Sequence, residues 1–187
     1  GTTEIAFDNI RVIPPTPEQA AILDQYAAEA GKLGGPPALD GSNLVPNSGF
    51  EMDLTGQGKP DFWSAGDWGL GSVMTWETDN PLAGERSVSV ECASKDQRGS
   101  WDLRVPLAPG PWVFQGWYRT RDLQADPNKG VDARVTLVDA DGRTIREFHA
   151  HGEPSETWKQ TTVRFEAPAQ TAAAHVYLFN FFAAGKV

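Results

Sequence analysis

The sequence has one cysteine, three histidines and an excess of acids, and each of these features excludes a class of protein. With Cys92 alone, no disulfide can form within the chain. The net charge of -9 is opposite in sign to the basic surface with which proteins bind nucleic acid, so we expect no nucleic-acid partner. No apolar run approaches the roughly 18 residues that cross a membrane, so no membrane span is predicted.

Signatures of common catalytic centres are also missing. The sequence contains no nucleophile elbow, phosphate-binding loop or Cys-x-x-Cys pair. His149 and His151 alternate on a predicted strand and could share a transition metal, but no third ligand is apparent beside them. Paired carboxylates for glycoside hydrolysis stay open, because acids are plentiful. We expect a protein that is not an enzyme.

What the sequence does contain is aromatic residues, with seven Trp and nine Phe, set in short segments of alternating apolar and polar residues. Such alternation predicts β-strands. Turn signals separate the segments from Asn43 onward, and "ADGR" at 140–143 predicts a hairpin. Many short strands without helices between them predict an antiparallel β-sandwich. The predicted strands are 72–77, 86–92, 100–107, 112–120, 132–139, 143–150, 157–166 and 173–182.

One accessory α-helix is predicted ahead of these strands. Thr16 is a suitable N-cap, Pro17 fits the first helical position, and Gln19 completes a capping box. The run Gly34-Gly35-Pro36-Pro37 ends the pattern, so we expect a helix over residues 17–30. The chain thus divides into a strand-bearing segment 1–13, a helical linker 14–42 and a β-sandwich 43–187.

Segments spread over most of the chain occur in an order shared with one group of modules. "NLVPNSGFE" (43–51) and "GKPDFW" (58–63) are similar to an opening strand and its loop, and "LAGERSVSVE" (82–91), "WVFQGWYRT" (112–120) and "HVYLFNFF" (175–182) to later strands. Together they resemble the jelly-roll carbohydrate-binding modules of families 4, 9, 16 and 22. The resemblance implies a non-catalytic jelly roll that binds polysaccharide, located outside the cell or at its surface.

Such modules close with a strand of the form Val-x-Phe-Asp-Asp/Asn-Val, and here that strand is "IAFDNIRV" at residues 5–12. Three arrangements follow from this displacement. The strand closes its own domain, which would bring Val12 close to Asn43; it inserts into a neighbouring copy; or it is the end of a preceding module. The second arrangement gives an alternative function, a structural subunit of an extracellular filament assembled by donation of residues 5–12.

The resemblance also implies a structural Ca2+ between the opening and closing strands. Carried over to this sequence, its ligands are Asp8 and Glu51, with Glu77 or Asp79 from the next loop. Carboxylate and carbonyl oxygens spread over loops suit Ca2+. The alternative is that these residues are solvated acids of an acidic protein.

A polysaccharide site is predicted on side chains that point away from the core. Alternation along 112–120 and 173–182 sends every second side chain to that face. If the two strands are neighbours, they form one aromatic surface with polar groups, on which sugar rings can stack. The alternative is that the helix 17–30 or another subunit covers this surface. Trp63 and Trp68 are predicted to pack as a plug, with a contact to sugar at the rim as the alternative. The predicted carbohydrate-binding residues are Gln115, Trp117, Arg119, His175, Tyr177 and Phe179.

Overall fold

The computed structural model describes residues 4–13 and 43–186, which form two antiparallel β-sheets packed face to face. The β-sandwich predicted from the sequence is confirmed, and each of the eight predicted strands is present. The helix predicted over 17–30, and the linker 14–42 that contains it, lie outside the described residues. Within those residues, no helix has the length and apolar character to cross a bilayer. The strands are β1 (Glu4–Ile13), β2 (Ser64–Gly66), β3 (Val73–Glu77), β4 (Ser87–Cys92), β5 (Arg98–Pro106), β6 (Gly110–Arg121), β7 (Gly130–Val138), β8 (Thr144–Gly152), β9 (Lys159–Ala167), β10 (Ala173–Phe181) and β11 (Gly185–Lys186).

The strands divide between a six-stranded sheet A and a five-stranded sheet B. Sheet A has the order β11-β4-β1-β6-β9, with β3 also paired to β4. Sheet B has the order β2-β5-β10-β7-β8. Alternate side chains of both sheets point inward and form one hydrophobic core between them. The remaining side chains give each sheet an outer face, and these two faces lie on opposite sides of the molecule.

Strand β1 lies inside sheet A of its own chain, between β4 and β6. Phe7 pairs with Val88 on one side and with Tyr118 on the other, and its side chain is fully buried. The side chains of Ile5 and Ile10 are equally buried, so the strand supplies core as well as backbone hydrogen bonds. Asn43 Nδ2 donates to the Ile10 carbonyl at 3.0 Å, which places the start of the sandwich segment against β1. The displaced closing strand therefore closes its own sandwich in this structure.

The Asp-Asn pair in the middle of β1 has a structural role. Asn9 has a φ of 49°, and the pairing with β6 shifts register between Asp8 and Arg11. This is a β-bulge, and Asn is one of the few residues that tolerate the left-handed conformation it requires. The bulge frees the Ile10 amide from the ladder, and that amide donates to the Ser48 carbonyl at 2.9 Å. The kink thereby joins β1 to the segment that begins the sandwich.

Strand β11 pairs with the same end of β4 as β1 does. Lys186 of β11 and Glu4 of β1 share Glu91 as their partner in β4. The Gln124 amide donates to the Ala184 carbonyl at 2.9 Å, which ties the approach to β11 to the segment that follows β6.

The segment 43–51 is not a strand, contrary to what the resemblance implied. Asn47 and Phe50 have φ values of 47° and 61°, which lie outside the extended region that a regular strand requires. The Asn47 side chain instead holds a turn, since its Nδ2 donates to the Met52 and Asp61 carbonyls and its Oδ1 accepts from the Met52 amide. Local side-chain hydrogen bonds of this kind compete with a β-ladder.

Candidate functional site

The outer face of sheet B carries a row of aromatic side chains along its central strand. Alternation on β10 buries Ala174, Val176 and Leu178 in the core and turns the residues between them outward, as predicted from the sequence. Trp68, from the loop between β2 and β3, joins this row. We call the aromatic face the surface formed by Trp68, His175, Tyr177, Phe179 and Phe181.

Trp68 is the exposed member of the aromatic face. Its ring centroid lies 6.3 Å from that of Tyr177 and 6.2 Å from that of Phe179, and 48% of the residue remains accessible. Its indole Nε1 donates to Ser100 Oγ at 3.3 Å, so the indole is held by β5. Trp63, by contrast, is 2% exposed and packs against Phe50 in the core. The packing role predicted for Trp63 is confirmed, whereas Trp68 lies at the surface.

A hydrogen-bonded chain of polar groups crosses the aromatic face. His175 Nε2 lies 3.0 Å from Asp102 Oδ2, and Tyr177 Oη lies 2.8 Å from His175 Nδ1. A carboxylate only accepts, so Nε2 donates to Asp102, and in the neutral imidazole Nδ1 then accepts from the tyrosine hydroxyl. Burial raises the pKa of Tyr177, and the negative charge of Asp102 adds to that rise. Tyr177 is therefore a fixed neutral ring with its hydroxyl engaged, which suits binding and not nucleophilic attack.

Cations cover the end of the aromatic face that is remote from His175. The Arg134 guanidinium lies 4.8 Å from the centroid of Phe179 and 5.1 Å from that of Phe181. Lys129 Nζ lies 4.8 Å from the Phe181 ring, and the Arg98 guanidinium lies 5.0 Å from the Trp68 ring. The Arg134 contact and the packing of the Trp68 and Tyr177 rings leave Phe179 only 2% exposed. The accessible part of the face is therefore centred on Trp68 and Tyr177.

The second predicted row, on β6, is not next to the first. β6 lies in sheet A and β10 in sheet B, so the single wide surface is not formed. Gln115 and Trp117 instead line a cavity of about 240 Å³ on the outer face of sheet A, with Asn9, Arg11 and Gln160. Arg119 is engaged elsewhere, donating to the Asp79 carbonyl and lying 5.5 Å from the ring of Trp158. Alternation showed correctly which side chains leave the core, but it carries no information on which sheet a strand joins.

Asp8 and Glu51, two of the predicted metal ligands, meet at one loop. Asp8 Oδ2 accepts from the Leu82 and Ala83 amides at 3.1 Å, and the Glu51 carboxylate accepts from the Glu85 and Arg86 amides of the same loop. A Cβ on Gly84, whose φ is +70°, would lie 2.2 Å from Glu51 Oε1, so the loop is shaped around that carboxylate. Burial, with a contribution from the charge of Glu51, raises the pKa of Asp8 to about 6. Two converging carboxylates of which one is poorly solvated fit a hard cation such as Ca2+.

The other two predicted metal ligands have different partners. Glu77 Oε1 accepts from Ser89 Oγ at 2.8 Å. Asp79 forms an ion pair with Arg121 at 2.9 Å, and the hydrogen bond from Arg121 is the main reason why the pKa of this carboxyl is lowered. Neither residue joins the carboxylate pair in this structure. Their role as ligands stays a prediction.

A cluster that sequence reasoning missed lies at the edge of the aromatic face. Asp132 of β7 is fully buried and contacts both His149 and His151 of β8. The three residues offer ligand atoms that all lie within 4.8 Å of one another. The sequence contained this signal. When the residues on either side of the "ADGR" turn are paired one by one away from the turn, Asp132 lies opposite His151, as the structure shows.

No protein-family model matches the chain, and no curated protein matches it in sequence. Among solved structures, the enzymatically active domain of tailspike protein 4 of bacteriophage CBA120 is similar over 78% of this chain, with a TM-score of 0.57 and 12% identity. The chain spans 20% of that structure. At this identity the likeness shows the fold alone, which is a β-sandwich that also occurs as part of a larger protein.

Carbohydrate-binding modules are also among the similar structures, in agreement with the resemblance seen in the sequence. A family 16 module has a TM-score of 0.48 and 18% identity, with 75% of this chain and 92% of that one covered. A family 61 module in complex with β-1,4-galactotriose has a TM-score of 0.44 and 19% identity, with 77% and 88% covered. Structures that are alike only at this level do not show where this chain binds a ligand. The candidate site is therefore identified from the geometry of the aromatic face alone.

Proposed function

We propose that this chain is a non-catalytic carbohydrate-binding domain that holds a polysaccharide on the aromatic face. The observation that carries the proposal is Trp68, an indole that remains 48% exposed although it lies against Tyr177 and Phe179. Isolated exposed apolar residues need no explanation, but an exposed indole set on a row of aromatic rings does. A flat ring of this kind can stack on the C–H face of a sugar.

Polar groups beside the rings supply the second requirement of a sugar site, which is hydrogen bonding to hydroxyls. In the ladder, Asp102 and Arg134 are the two partners of Tyr177 on either side, and Arg104 is a partner of His175. Asp102 and His175 are fixed by their mutual hydrogen bond at 3.0 Å. Side chains held in this way lose little conformational entropy when a ligand binds.

The proposal is tested by affinity electrophoresis in gels containing soluble xylan, β-glucan, galactan or mannan. Trp68→Ala should lower the affinity about tenfold or more, which corresponds to roughly 1.4 kcal/mol, and Tyr177→Ala should lower it as well. Trp117→Ala is the matched control, because it removes an aromatic ring from the outer face of sheet A. Retardation that survives Trp68→Ala and is lost with Trp117→Ala would move the site to the cavity on sheet A. If none of the polysaccharides retards the wild-type protein, the proposal is wrong.

Ca2+ is proposed as a structural ion held by Asp8 and Glu51, in support of this binding domain. A divalent cation there would supply charge neutralisation for two carboxylates that now share one loop. Asp8 lies in β1 and Glu51 follows the turns of the opening segment, so the ion would link the displaced strand to the rest of the sandwich. Calcium should therefore raise the unfolding temperature of the wild-type protein and not that of Glu51→Gln.

Assembly through the N-terminal strand stays the alternative function. In this structure β1 pairs with β4 and β6 of its own chain, and a donated strand would form the same pairs between chains. Light scattering after size-exclusion chromatography distinguishes the two cases. A species near the chain mass of 20.3 kDa supports closure within one chain, and a ladder of multiples that disappears on deleting residues 1–12 supports the filament. A location outside the cell or at its surface stays a prediction from the resemblance.

A further inference from the structure

The hairpin β7–β8 brings together three side chains whose chemistry is not needed for binding a sugar. Asp132 and His151 are direct partners across the ladder, and His149 is the partner of Arg134 in the next outward-facing position. Side chains two residues apart on a strand share a face, so Asp132, His149 and His151 converge on the outer face of sheet B. The register of the hairpin fixes this arrangement.

The distances from the Asp132 carboxylate to the two histidines are close to those of a metal coordination sphere, and all three ligand atoms lie within 4.8 Å of one another. Asp132 Oδ1 lies 3.1 Å from His149 Nδ1 and 3.7 Å from His151 Nδ1. In a tetrahedral zinc site with bonds of about 2.0–2.1 Å, neighbouring ligand atoms are about 3.3 Å apart. The two imidazoles are stacked, with centroids 5.4 Å apart, so both rings present an edge to the same carboxylate oxygen. A metal ion needs only small shifts of these side chains to bind all three atoms.

The Asp132 carboxylate is also oriented as a metal ligand would be. Asp132 is fully buried, and Arg134 supplies the paired charge that a buried carboxylate requires. Arg134 Nη2 binds Oδ2 at 3.0 Å, His149 Nδ1 lies 3.1 Å from either oxygen, and Oδ1 is the oxygen that lies near both histidines. Arg134 therefore fixes the plane of the carboxylate in the way that outer-shell groups orient metal ligands. Oδ1, to which Arg134 does not bind, is the oxygen placed to bind a metal.

Space for further ligands exists on the solvent side. The side chains of His149 and His151 are 35% and 40% exposed, so the far side of the cluster is open. A cavity of about 350 Å³, lined by Lys129, His151 and Glu153 among others, begins directly beside it. A site with three protein ligands and an accessible fourth position is the open type of zinc site.

We propose that Asp132, His149 and His151 form a site for a divalent transition metal of the zinc class. Imidazole nitrogens favour Zn2+, Co2+, Ni2+ or Cu2+ over Ca2+ and Mg2+, so this site is chemically different from the carboxylate pair at Asp8 and Glu51. Water or an oxygen of a bound ligand completes the coordination. The site does not depend on the proposed sugar binding, because its ligands lie on β7 and β8 and the metal is measured without any sugar present.

The chain offers a matched control for the test, since it contains three histidines and the third, His175, lies outside the cluster. His175 is on the same face of sheet B but is hydrogen-bonded to Asp102 and Tyr177. His175→Gln should therefore leave metal binding unchanged. His149→Gln and His151→Gln each remove one ligand at an exposed position, and circular dichroism will show that both variants remain folded.

The experiment is titration of metal-free protein, with any affinity tag removed, by ZnCl2 in a calorimeter and by CoCl2 in the visible absorption spectrum. We expect one ion per chain, a Co2+ spectrum of the intense tetrahedral type, and no displacement by excess Ca2+. Each of the two histidine variants should lose more than the roughly 10- to 100-fold in affinity that removing an outer-shell partner costs. Absence of binding by the wild-type protein, or equal binding by His151→Gln and His175→Gln, would overturn the proposal.

Discussion

Replacing Phe7 by alanine measures how strongly β1 is built into the sandwich. Phe7 is fully buried and is paired on both sides, with Val88 of β4 and Tyr118 of β6. Truncating a buried phenylalanine costs about 3–5 kcal/mol, because apolar contact is lost and a cavity is left. A domain of this size has roughly 5–15 kcal/mol of stability, so the variant should fold but lose a large fraction of it. At about 2–4 °C per kcal/mol, the unfolding temperature should fall by roughly 6–20 °C.

The assay is equilibrium unfolding in urea, followed by tryptophan fluorescence. Phe7→Leu keeps most of the volume and should lose less than about 1.5 kcal/mol, and Arg11→Ala, at an exposed position of the same strand, should stay within about 0.5 kcal/mol. A Phe7→Ala protein as stable as wild type would refute the conclusion that β1 completes this core. An unfolding midpoint that rises with protein concentration would show that the strand is shared between chains.

Three further predictions concern buried groups. The pKa of Asp8 is raised from 3.8 to about 6, so its protonated carboxyl stabilises the folded protein by up to about 3 kcal/mol. This stabilisation is complete below about pH 4 and is lost as the pH rises through about 6. Added Ca2+ should weaken the pH dependence, and a titration of the carboxyl near its ordinary pKa of 3.8 in NMR would contradict it. A Cβ on Gly116 would lie 2.7 Å from Ile10 Cδ1, an atom that valine lacks. Gly116→Ala should therefore destabilise the protein less when Ile10 is replaced by valine. Additive free energies of unfolding in this double-mutant cycle would count against the packing. Burial raises the pKa of Cys92 to about 12, so the thiol should resist Ellman's reagent until the protein unfolds, and rapid labelling of the native protein would be inconsistent with this burial.

The strands were predictable because their signal is local. Alternation along β10 identified Ala174 and Val176 as core residues and His175 and Tyr177 as outward-facing residues, and the structure agrees. The same signal fails for 43–51, where the hydrogen bonds of the Asn47 side chain hold turns in place of a strand. Alternation reports the pleat of a strand, and it is silent where side chains satisfy the backbone.

The composition of the site was only partly predictable, because it depends on which strands become neighbours. Trp117 and Tyr177 were expected on one surface, yet β6 and β10 belong to different sheets, and long-range pairing leaves no local mark in a sequence. Trp68 was hard to assign for a similar reason, since only its contact with Tyr177 shows that it lies on the aromatic face. Asp132 could have been predicted from the sequence, because the register of the predicted hairpin sets it opposite His151.

The most direct test of the central claim is an NMR titration of the tryptophan indole N–H signals with xylohexaose, cellohexaose and mannohexaose. Trp68, whose indole N–H is bound to Ser100 at the aromatic face, should shift in proportion to bound sugar. Trp101, buried in the core, and Trp117, on the outer face of sheet A, should not move. Shifts confined to Trp117, or no shift with any of the three sugars at millimolar concentration, would contradict the assignment of the aromatic face as a polysaccharide site.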